Sequence, residues 1–458
     1  MPSTTRRDFM RDAALTAGVT AAAPAVRTGW AANSPNERIN VAVVGFHGRG
    51  RSHYEAYAKM PNVRVAALCD VDERLFPAAV AEVERVAGYK PATEPDFRKL
   101  LDSKEIDAVS IATPDHWHGL MSIWACQAGK DVYVEKPVSF SVVEGRKMVE
   151  AARKYKRVVQ AGQNMRCEPK VRGAIRLLHG GKLGNVYKAK VDIVKYRGGI
   201  GHAQDSPIPQ GVHWDLFLGP APSRPFNLNR FHYGWHFFWD TSTSDFGNSG
   251  VHNVDVARWG LNKRVHPVKV HCSGGLYVWD SDQETPNTQT ATFEYADGTT
   301  IDFELSNLYA PASEAWNTFY ATRGYLTSAD GWKAMLGEFK LRDRAQEVSA
   351  AGVNERVTNV SFPRASFTPG PPLEAGEKET SHFANFIECM RSRKVENLYC
   401  DIEEGHMSAA LCHMANISCR TGRKLTFDPK TERFVGDEEA NKYLTRAYRK
   451  PYLLPDKV

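Results

Sequence analysis

The sequence contains no apolar run of the roughly 18 to 20 residues that would cross a bilayer, so we expect no membrane-spanning helix. It has no block of basic residues, and its net charge of +6 is spread over 458 residues, so nothing favours nucleic acid as a partner. The eight cysteines form no C-x-x-C pair, and we expect none of them in a required disulfide. What is present, 42% hydrophobic and 24% charged residues, is typical of a globular protein of two or three domains.

Residues 1–33 are typical of an export signal rather than of a folded domain. Arg6 and Arg7, followed by Phe9 and Arg11, match the twin-arginine pattern, and an alanine-rich, weakly hydrophobic segment follows. We therefore expect export by the twin-arginine pathway to a periplasm or the cell exterior. The alternative is an arginine-tipped amphipathic start to a cytoplasmic protein.

Residues 106–137 predict a β–α–β unit. Residues 106–112 are apolar and β-branched, as in a strand buried on both faces, and Pro114 ends that strand. Apolar residues at helical spacing over 119–128 predict a helix, and residues 131–134 predict a second strand that ends at Glu135-Lys136-Pro137. Ligands bind at the carboxyl ends of strands in open parallel sheets. Lys136 is therefore a candidate for chemistry.

Residues 38–45 predict the first buried strand, and a glycine-rich turn follows it. Set against G-x-G-x-x-G, the turn has both outer glycines, a histidine in the second position and one extra glycine. Because a helix is predicted at 51–59, its amino end would favour a phosphate there. The candidate cofactor residues of this turn are Gly45, His47, Gly48, Arg49 and Gly50.

Asp70 follows the second predicted strand, where an acid would bond a ribose 2′-hydroxyl and repel a 2′-phosphate. This position favours NAD over NADP. Arg49, Arg51 and Arg74 are near enough in sequence to keep NADP open. The alternative is that Asp70 only caps the next helix, a role we assign to Asp72.

Thr113-Pro114-x-x-x-His118, a helix, and then Glu135-Lys136-Pro137 together resemble the Gfo/Idh/MocA oxidoreductases. The resemblance implies an α/β protein with a Rossmann domain, a doubly wound parallel sheet, over residues 37–165. It also implies a substrate-binding α+β domain with a large open, mostly antiparallel sheet over 166–430, which leaves 431–458 as a tail. Cofactor contacts are expected from Thr113, Pro114, His118, Glu135, Lys136 and Gln163.

The family's G-x-H-x-x-D helix is matched at residues 250–255, which implies that His252 is the catalytic acid/base beside Lys136. One helical turn earlier the family often has aspartate, and this chain has Asn248 on the face expected to carry His252. An amide cannot exchange a proton during turnover. Asp245 is a nearby carboxylate that could supply the missing charge.

Residues 213–252 are dense in aromatic and histidine side chains, and we call them the aromatic segment. Such residues pack cores, but they also stack on sugar faces, and the sequence leaves both roles open. The candidate substrate residues are Trp214, Trp235, Trp239, Asp245, Asn248 and His252, with Asn164 and Arg166 after the last predicted strand of the first domain. His116 and His118 find no third ligand at suitable spacing, so we expect no metal.

These features predict an NAD(P)-dependent oxidoreductase that acts on a hydroxyl of a sugar or glycoside. Because a periplasm offers no nicotinamide pool, an exported enzyme should hold its cofactor tightly and regenerate it in each turnover. One alternative is a redox-neutral glycosidase or epimerase of the same fold, although related glycosidases often lack the Glu-Lys-Pro lysine. Another is a non-enzymatic sensor of sugar or dinucleotide. We also expect a homo-oligomer, a small carbohydrate as the only ligand class besides the cofactor, and no membrane partner.

Overall fold

The computed structural model describes residues 38–311, 313–338, 366–370 and 381–458, so the predicted export signal lies outside it. The first sheet is formed by six parallel strands: β1 (Ile39–Val44), β2 (Val63–Cys69), β3 (Ala92–Glu94), β4 (Ala108–Ile111), β5 (Asp131–Val134) and β6 (Val159–Ala161). Their order is β3-β2-β1-β4-β5-β6. The strand order reverses between β1 and β4, which confirms the predicted doubly wound sheet.

Helices cover both faces of this sheet, which is why its central strands are buried throughout and mostly apolar. All four residues of β4 and of β5 are buried. One face packs against α1 (Gly50–Ala58) and α2 (Phe76–Ala87). The other packs against α3 (Phe97–Leu101), α4 (Asp115–Gln127) and α5 (Val142–Lys154).

Helix α4 begins at Asp115, four residues before the predicted start at Gly119. Pro114 stands at the N-cap with φ −58°, and Asp115 lies in the first turn, where a carboxylate is favoured by the helix dipole. His116 and His118 therefore belong to a buried helical turn and not to a loop.

Ten strands form the second sheet: β7 (Val186–Val194), β8 (Lys269–Gly275), β9 (Thr288–Glu294), β10 (Thr300–Ser306), β11 (Asn317–Ala321), β12 (Gly324–Thr327), β13 (Lys333–Glu338), β14 (Ser366–Pro369), β15 (Leu425–Asp428) and β16 (Arg433–Phe434). Their order is β14-β13-β12-β11-β7-β10-β9-β8-β15-β16. Only the β7–β10 pair among these described strands is parallel. The predicted large, mostly antiparallel sheet is confirmed.

One face of the second sheet is buried under helices. Along β7, Ala189, Val191 and Ile193 are buried while Lys188 and Lys190 are partly exposed, the alternation expected of a half-covered sheet. The remaining helices are α6 (Pro169–His179), α7 (Trp214–Leu218), α8 (Val251–Gly260), α9 (His382–Ser392), α10 (Ile402–Thr421) and α11 (Glu438–Lys442). Of these, α6, α8 and α10 supply the core beneath the sheet. No helix in the described part of the chain is long and apolar enough to cross a membrane.

The late part of the chain returns to the first domain, which the sequence did not predict. Phe383 and Phe386 of α9 pack in the core of the first sheet, and Gln160 of β6 forms an isolated bridge with Asp401. Tyr452, in the predicted tail, packs against Trp117 of α4 at 5.3 Å between ring centroids. Residues 382–401 and the end of the tail therefore contact the Rossmann sheet, because its apolar faces need more cover than its own helices supply.

Candidate active site

One continuous cavity lies at the carboxyl ends of the first sheet and extends beneath the aromatic segment. It is lined by ten of the predicted cofactor residues: Gly45, His47, Gly48, Arg49, Asp70, Thr113, Pro114, His118, Glu135 and Lys136. Two of the predicted substrate residues, Trp235 and Asn248, also line it. Residues far apart in the sequence thus meet in one cavity because parallel strands end at one edge.

The glycine-rich turn has the shape that a dinucleotide requires. Gly45 has φ +76°, and a Cβ there would lie 2.9 Å from the backbone of Ala112, so β1 and β4 approach closely at this point. At Gly50, the first residue of α1, a Cβ would lie 1.9 Å from the carbonyl oxygen of Gly45. At Gly48, which lines the cavity, a Cβ would meet nothing within 4 Å. The open space at Gly48, beside the amino end of α1, fits a pyrophosphate.

Asp70 is held in place by backbone amides. Its carboxylate accepts hydrogen bonds from the amide nitrogens of Phe46 (2.9 Å) and Asp72 (3.1 Å). Burial raises the pKa of Asp70 to about 6, against the lowering effect of these hydrogen bonds. Asp72 caps the next helical turn by accepting from the Arg74 amide at 3.2 Å, as predicted. Asp70 is thus free of the capping role and faces the cavity beside the glycine turn.

Glu135 joins the turn to the lysine strand. Its Oε1 accepts from Arg49 Nε at 2.8 Å and from His53 Nε2 at 3.1 Å, and its Oε2 accepts from the Lys136 amide at 3.2 Å. Burial alone would raise the pKa of Glu135, but the hydrogen bond from His53 and the charge of Arg49 hold it well below its usual range. The carboxylate therefore stays ionised and holds the Arg49 side chain at the end of the cavity that is lined by the glycine turn.

The Lys136 ammonium is held by neutral oxygens. Its Nζ donates to the side-chain oxygen of Asn248 at 2.9 Å and to the backbone oxygen of Asn248 at 3.0 Å. The Asn248 amide in turn donates to Asp245 Oδ1 at 3.0 Å, and Asp245 pairs with Arg197. Asn248 thus relays the charge of Asp245 to Lys136 as an oriented dipole, without a proton of its own to exchange.

His252 lies behind this group and does not line the cavity. A π-helical turn over Phe246–Gly250 precedes α8, so Asn248 projects into the cavity while His252, expected on the same face, does not. Burial, and next the charge of Lys136, lower the pKa of His252 to about 3, and its Nδ1 has no hydrogen-bond partner among the described residues. The catalytic role of His252 remains a prediction.

The aromatic segment covers the cofactor side of the cavity. At the start of the segment, the His213 amide donates to the Val71 oxygen at 2.8 Å. Two residues earlier, the Gly211 oxygen accepts from the amide of Glu73 at 2.8 Å. His232, with φ +48°, places Nε2 3.0 Å from Asp72 and stacks its ring on His47 at 3.8 Å between centroids. This part of the second domain is therefore fastened across the dinucleotide turn.

Several predicted site residues lie elsewhere. Trp214 is buried in an aromatic cluster, where its indole stacks on Phe217, so it packs core. Trp239 lines a separate cavity with Arg420 over its ring. Arg166 forms a buried bidentate pair with Asp255, which removes it from the substrate cavity.

Gln163, Asn164, Gly50, Asp245 and His252 are also absent from the cavity lining. Gln163 is buried, and the nitrogen and oxygen of its side-chain amide have no hydrogen-bond partner among the described residues. Asp245 accepts a hydrogen bond from the side-chain amide of Asn248, and Asn248 lines the cavity. For Gln163 and Asn164 the position after a strand predicted the sheet edge but could not give the direction of the side chain.

The cavity residues that were not predicted include Asp115, Lys195, Tyr233 and His236. Asp115 accepts from the Thr243 hydroxyl at 2.7 Å and from its amide at 3.1 Å, and burial raises its pKa to about 7. Tyr233 and His236 belong to the aromatic segment, whose composition was the available signal. Lys195 follows a long strand, and nothing local distinguished it from the other lysines there.

Three potential metal ligands meet outside this cavity. His266, His406 and Glu432 bring their ligand atoms within 4.8 Å of one another. Both histidines place Nε2 against Oε1 of Glu432, at 2.7 and 2.9 Å, and Arg146 donates to both carboxylate oxygens. Because a guanidinium already occupies the carboxylate, we describe this group as a hydrogen-bonded cluster. The expectation of no metal is not tested by it.

A doubly wound sheet, a glycine turn open to a pyrophosphate and a lysine at a strand end define a dinucleotide-dependent oxidoreductase fold. A family model described as "Oxidoreductase family, NAD-binding Rossmann fold" matches residues 39–163. A second, "Oxidoreductase family, C-terminal alpha/beta domain", matches residues 179–312 and 373–454. The chain belongs to the Gfo/Idh/MocA oxidoreductase family, and its first domain binds NAD.

Relatives of this chain include proteins named as glycosyl hydrolases and a protein named as a sugar dehydrogenase. A "Glycosyl hydrolase family 109 protein 1" of Shewanella sp. (strain ANA-3) is 30% identical over 180 residues, which are 35% of this chain and 39% of that protein. Levoglucosan dehydrogenase of Pseudarthrobacter phenanthrenivorans is 31% identical over 154 residues, 33% of this chain and 39% of that protein. A solved structure of levoglucosan dehydrogenase with NADH and L-sorbose has a TM-score of 0.61 at 16% identity, covering 86% of this chain and 100% of that one. It supports the fold alone.

Proposed function

We propose that this protein oxidises a hydroxyl group of a sugar or glycoside with NAD, and that it retains the cofactor between turnovers. The observation that carries the proposal is Lys136, which stands at the end of β5 in the cofactor cavity with its ammonium fixed by Asn248. A lysine so placed is typical of a group that binds the reacting oxygen and exchanges its proton.

NAD, when bound, supplies the acceptor for the hydride that leaves the alcohol carbon. The chain's own residues have the remaining tasks. Lys136 orients the hydroxyl, and once its ammonium has released a proton to solvent, the neutral amine takes the hydroxyl proton at Nζ during oxidation. Asn248 and Asp245 stabilise the charged form of that lysine, and Glu135 fixes the neighbouring Arg49. His252, whose pKa is lowered by burial and next by the charge of Lys136, remains the predicted relay for the proton.

Cofactor retention is supported by the contacts across the dinucleotide turn. Two backbone hydrogen bonds, the His232–Asp72 contact and the stack of His232 on His47 all have to break before that side of the cavity can open. The predicted twin-arginine signal agrees with retention, since that route would carry a folded, cofactor-loaded protein out of the cytoplasm. Recycling requires that a carbonyl compound later takes the electrons back.

The second candidate is the redox-neutral glycosidase, in which the same sugar is oxidised and re-reduced within one cycle. The similarity to proteins named as glycosyl hydrolases of family 109 favours it. Lys136 and the cofactor turn serve both candidates, so the two differ in the fate of the electrons.

The test begins by denaturing the purified protein and identifying any released nucleotide by mass spectrometry. We expect near-stoichiometric NAD or NADH. The intact protein is then mixed with sugars and aryl glycosides without added cofactor, and the absorbance of bound NADH is followed. Lasting NADH formation supports the dehydrogenase, whereas release of the phenol without lasting NADH favours the glycosidase. A protein that contains no nucleotide and binds no added NAD contradicts both and favours a sensor.

A further inference from the structure

Lys195 presents a second ammonium group to the substrate side of the cavity. It follows β7, lines the cavity together with Lys136 and Asn248, and donates to Ser249 Oγ at 3.3 Å. Among the described residues no carboxylate forms an ion pair with it, and much of its side chain is exposed to solvent. Burial, and next the charge of Arg197, lower the pKa of Lys195.

The nearest candidate counter-ion, Asp245, is already fully used. Its Oδ1 accepts from Arg197, Asn248 and Ser249 at 2.9, 3.0 and 3.0 Å, and its Oδ2 accepts from Arg197 and from Asn307, the latter at 2.7 Å. Two carboxylate oxygens offer about four acceptor positions. Asp245 therefore pairs with Arg197 and forms no ion pair with Lys195, on which its charge acts only from a distance.

The other ionisable groups of the cavity do not supply the missing charge. Glu135 is paired with Arg49 and His53. Asp115 is bonded to Thr243, and with a pKa of about 7 it is only partly ionised near neutral pH. Burial lowers the pKa of His236 to about 3, so this residue is neutral. The substrate side therefore carries two ammonium groups, Lys136 and Lys195.

We propose that Lys195 binds an anionic substituent of the substrate, so that this site takes sugars bearing an oxyanion group rather than neutral sugars. Two ammonium groups that line one cavity repel each other unless a ligand compensates their charge. A carboxylate, sulfate or phosphate ester on the sugar would supply the compensation, while Lys136 remains with the hydroxyl that reacts. This inference rests on the proposed sugar oxidation.

The test compares a matched pair, a methyl glucuronoside and the methyl glucoside that lacks only its carboxylate, in gluco and galacto forms. Sugar 6-sulfates and 6-phosphates distinguish the source of the oxyanion. With NAD-loaded wild-type protein we expect a KM about 10- to 100-fold lower for one oxyanion sugar than for its neutral partner. Lys195→Gln should remove that advantage and leave kcat within about threefold, and Lys195→Arg should restore part of it.

Lys190→Gln is the matched control, because Lys190 lies on the outward side of β7. It should change neither KM nor kcat, and both variants should keep the wild-type thermal transition. Binding of the oxyanion sugar is also measured by calorimetry, without turnover. Loss of that binding in Lys195→Gln supports the inference even if no sugar reduces NAD, in which case only the proposed function fails.

Two results would overturn the inference while leaving sugar oxidation intact. One is equal KM for the anionic and neutral sugars in the wild-type protein. The other is an equal fall of kcat on both sugars in Lys195→Gln with KM unchanged, which would assign Lys195 to proton transfer.

Discussion

The two ends of the cavity differ in how their charges are compensated. At the cofactor end, Arg49 pairs with Glu135, and Asp70 accepts from two backbone amides. At the substrate end, Lys136 and Lys195 contact only neutral oxygens. The protein thus completes the cofactor end by itself and leaves the substrate end to be completed by a ligand.

This difference has a physical reason. A retained cofactor benefits from a site that is already ordered, because no side chain then has to be fixed when the cofactor binds. A reacting substrate is better served by groups whose charge is not yet satisfied, since such groups can respond to charge that develops during the reaction. The charges at the cofactor end are therefore compensated within the protein, whereas we expect a ligand to compensate those at the substrate end.

The largest effect is expected from Lys136→Met, which removes the charge and keeps the length of the side chain. We expect kcat for sugar oxidation to fall by about 100- to 10,000-fold, because the proton acceptor is lost. Nucleotide content should stay near the wild-type value, since the cofactor end keeps its own contacts. Lys190→Met is the control. A kcat within about threefold of wild type would show that Lys136 takes no part in the chemistry, and the proposed role of the substrate end would be wrong.

An intermediate effect is expected from His232→Asn, which removes the imidazole ring and still tolerates the left-handed backbone of that position. Loss of the stack on His47 and of the contact with Asp72 should speed NAD release by about tenfold. The rate is measured by displacement of bound NAD with labelled NAD. His271→Asn, on the exposed side of β8, is the control. An unchanged rate would mean that the aromatic segment does not retain the cofactor.

The smallest effect is a pH dependence that comes from Asp70. Because its pKa is raised to about 6, the carboxylate gains a proton as pH falls through 6 and becomes a weaker acceptor for a ribose hydroxyl. NAD affinity should therefore fall about three- to tenfold between pH 7 and pH 5. The dissociation constant is measured by calorimetry on cofactor-stripped protein.

The same group should act on stability with the opposite sign. In the cofactor-free protein the folded state binds this proton more tightly than the unfolded state does, so the free energy of unfolding rises as pH falls from about 6 to about 4. Asp70→Asn should flatten both profiles over this window. If NAD binding by the variant kept the wild-type pH dependence, another group would be responsible.

Local sequence patterns were sufficient to predict those parts of the fold that depend on residues close together in the chain. The apolar strands, the glycine turn and the position of Glu135-Lys136 follow from periodicity and from turn residues, and the structure places them at one sheet edge. The start of α4 was misplaced because Pro114 ends a strand and also caps a helix. Because Pro114 can both end a strand and precede a helix, the sequence pattern alone does not show where the helix begins.

Side-chain direction and long-range partners were decided only by the tertiary structure. Trp214 and Trp235 have the same composition signal, yet one is core and the other faces the cavity, because aromatic rings satisfy either environment. Arg166 and Lys195 are both cations near the site, and only the fold shows that Asp255 neutralises the first while Asp245 is used up by Arg197. The order of residues in the chain therefore determines the sheet, the cofactor turn and the position of Lys136 at a strand end. The charge left for a ligand depends on which distant groups meet, and that is set by packing.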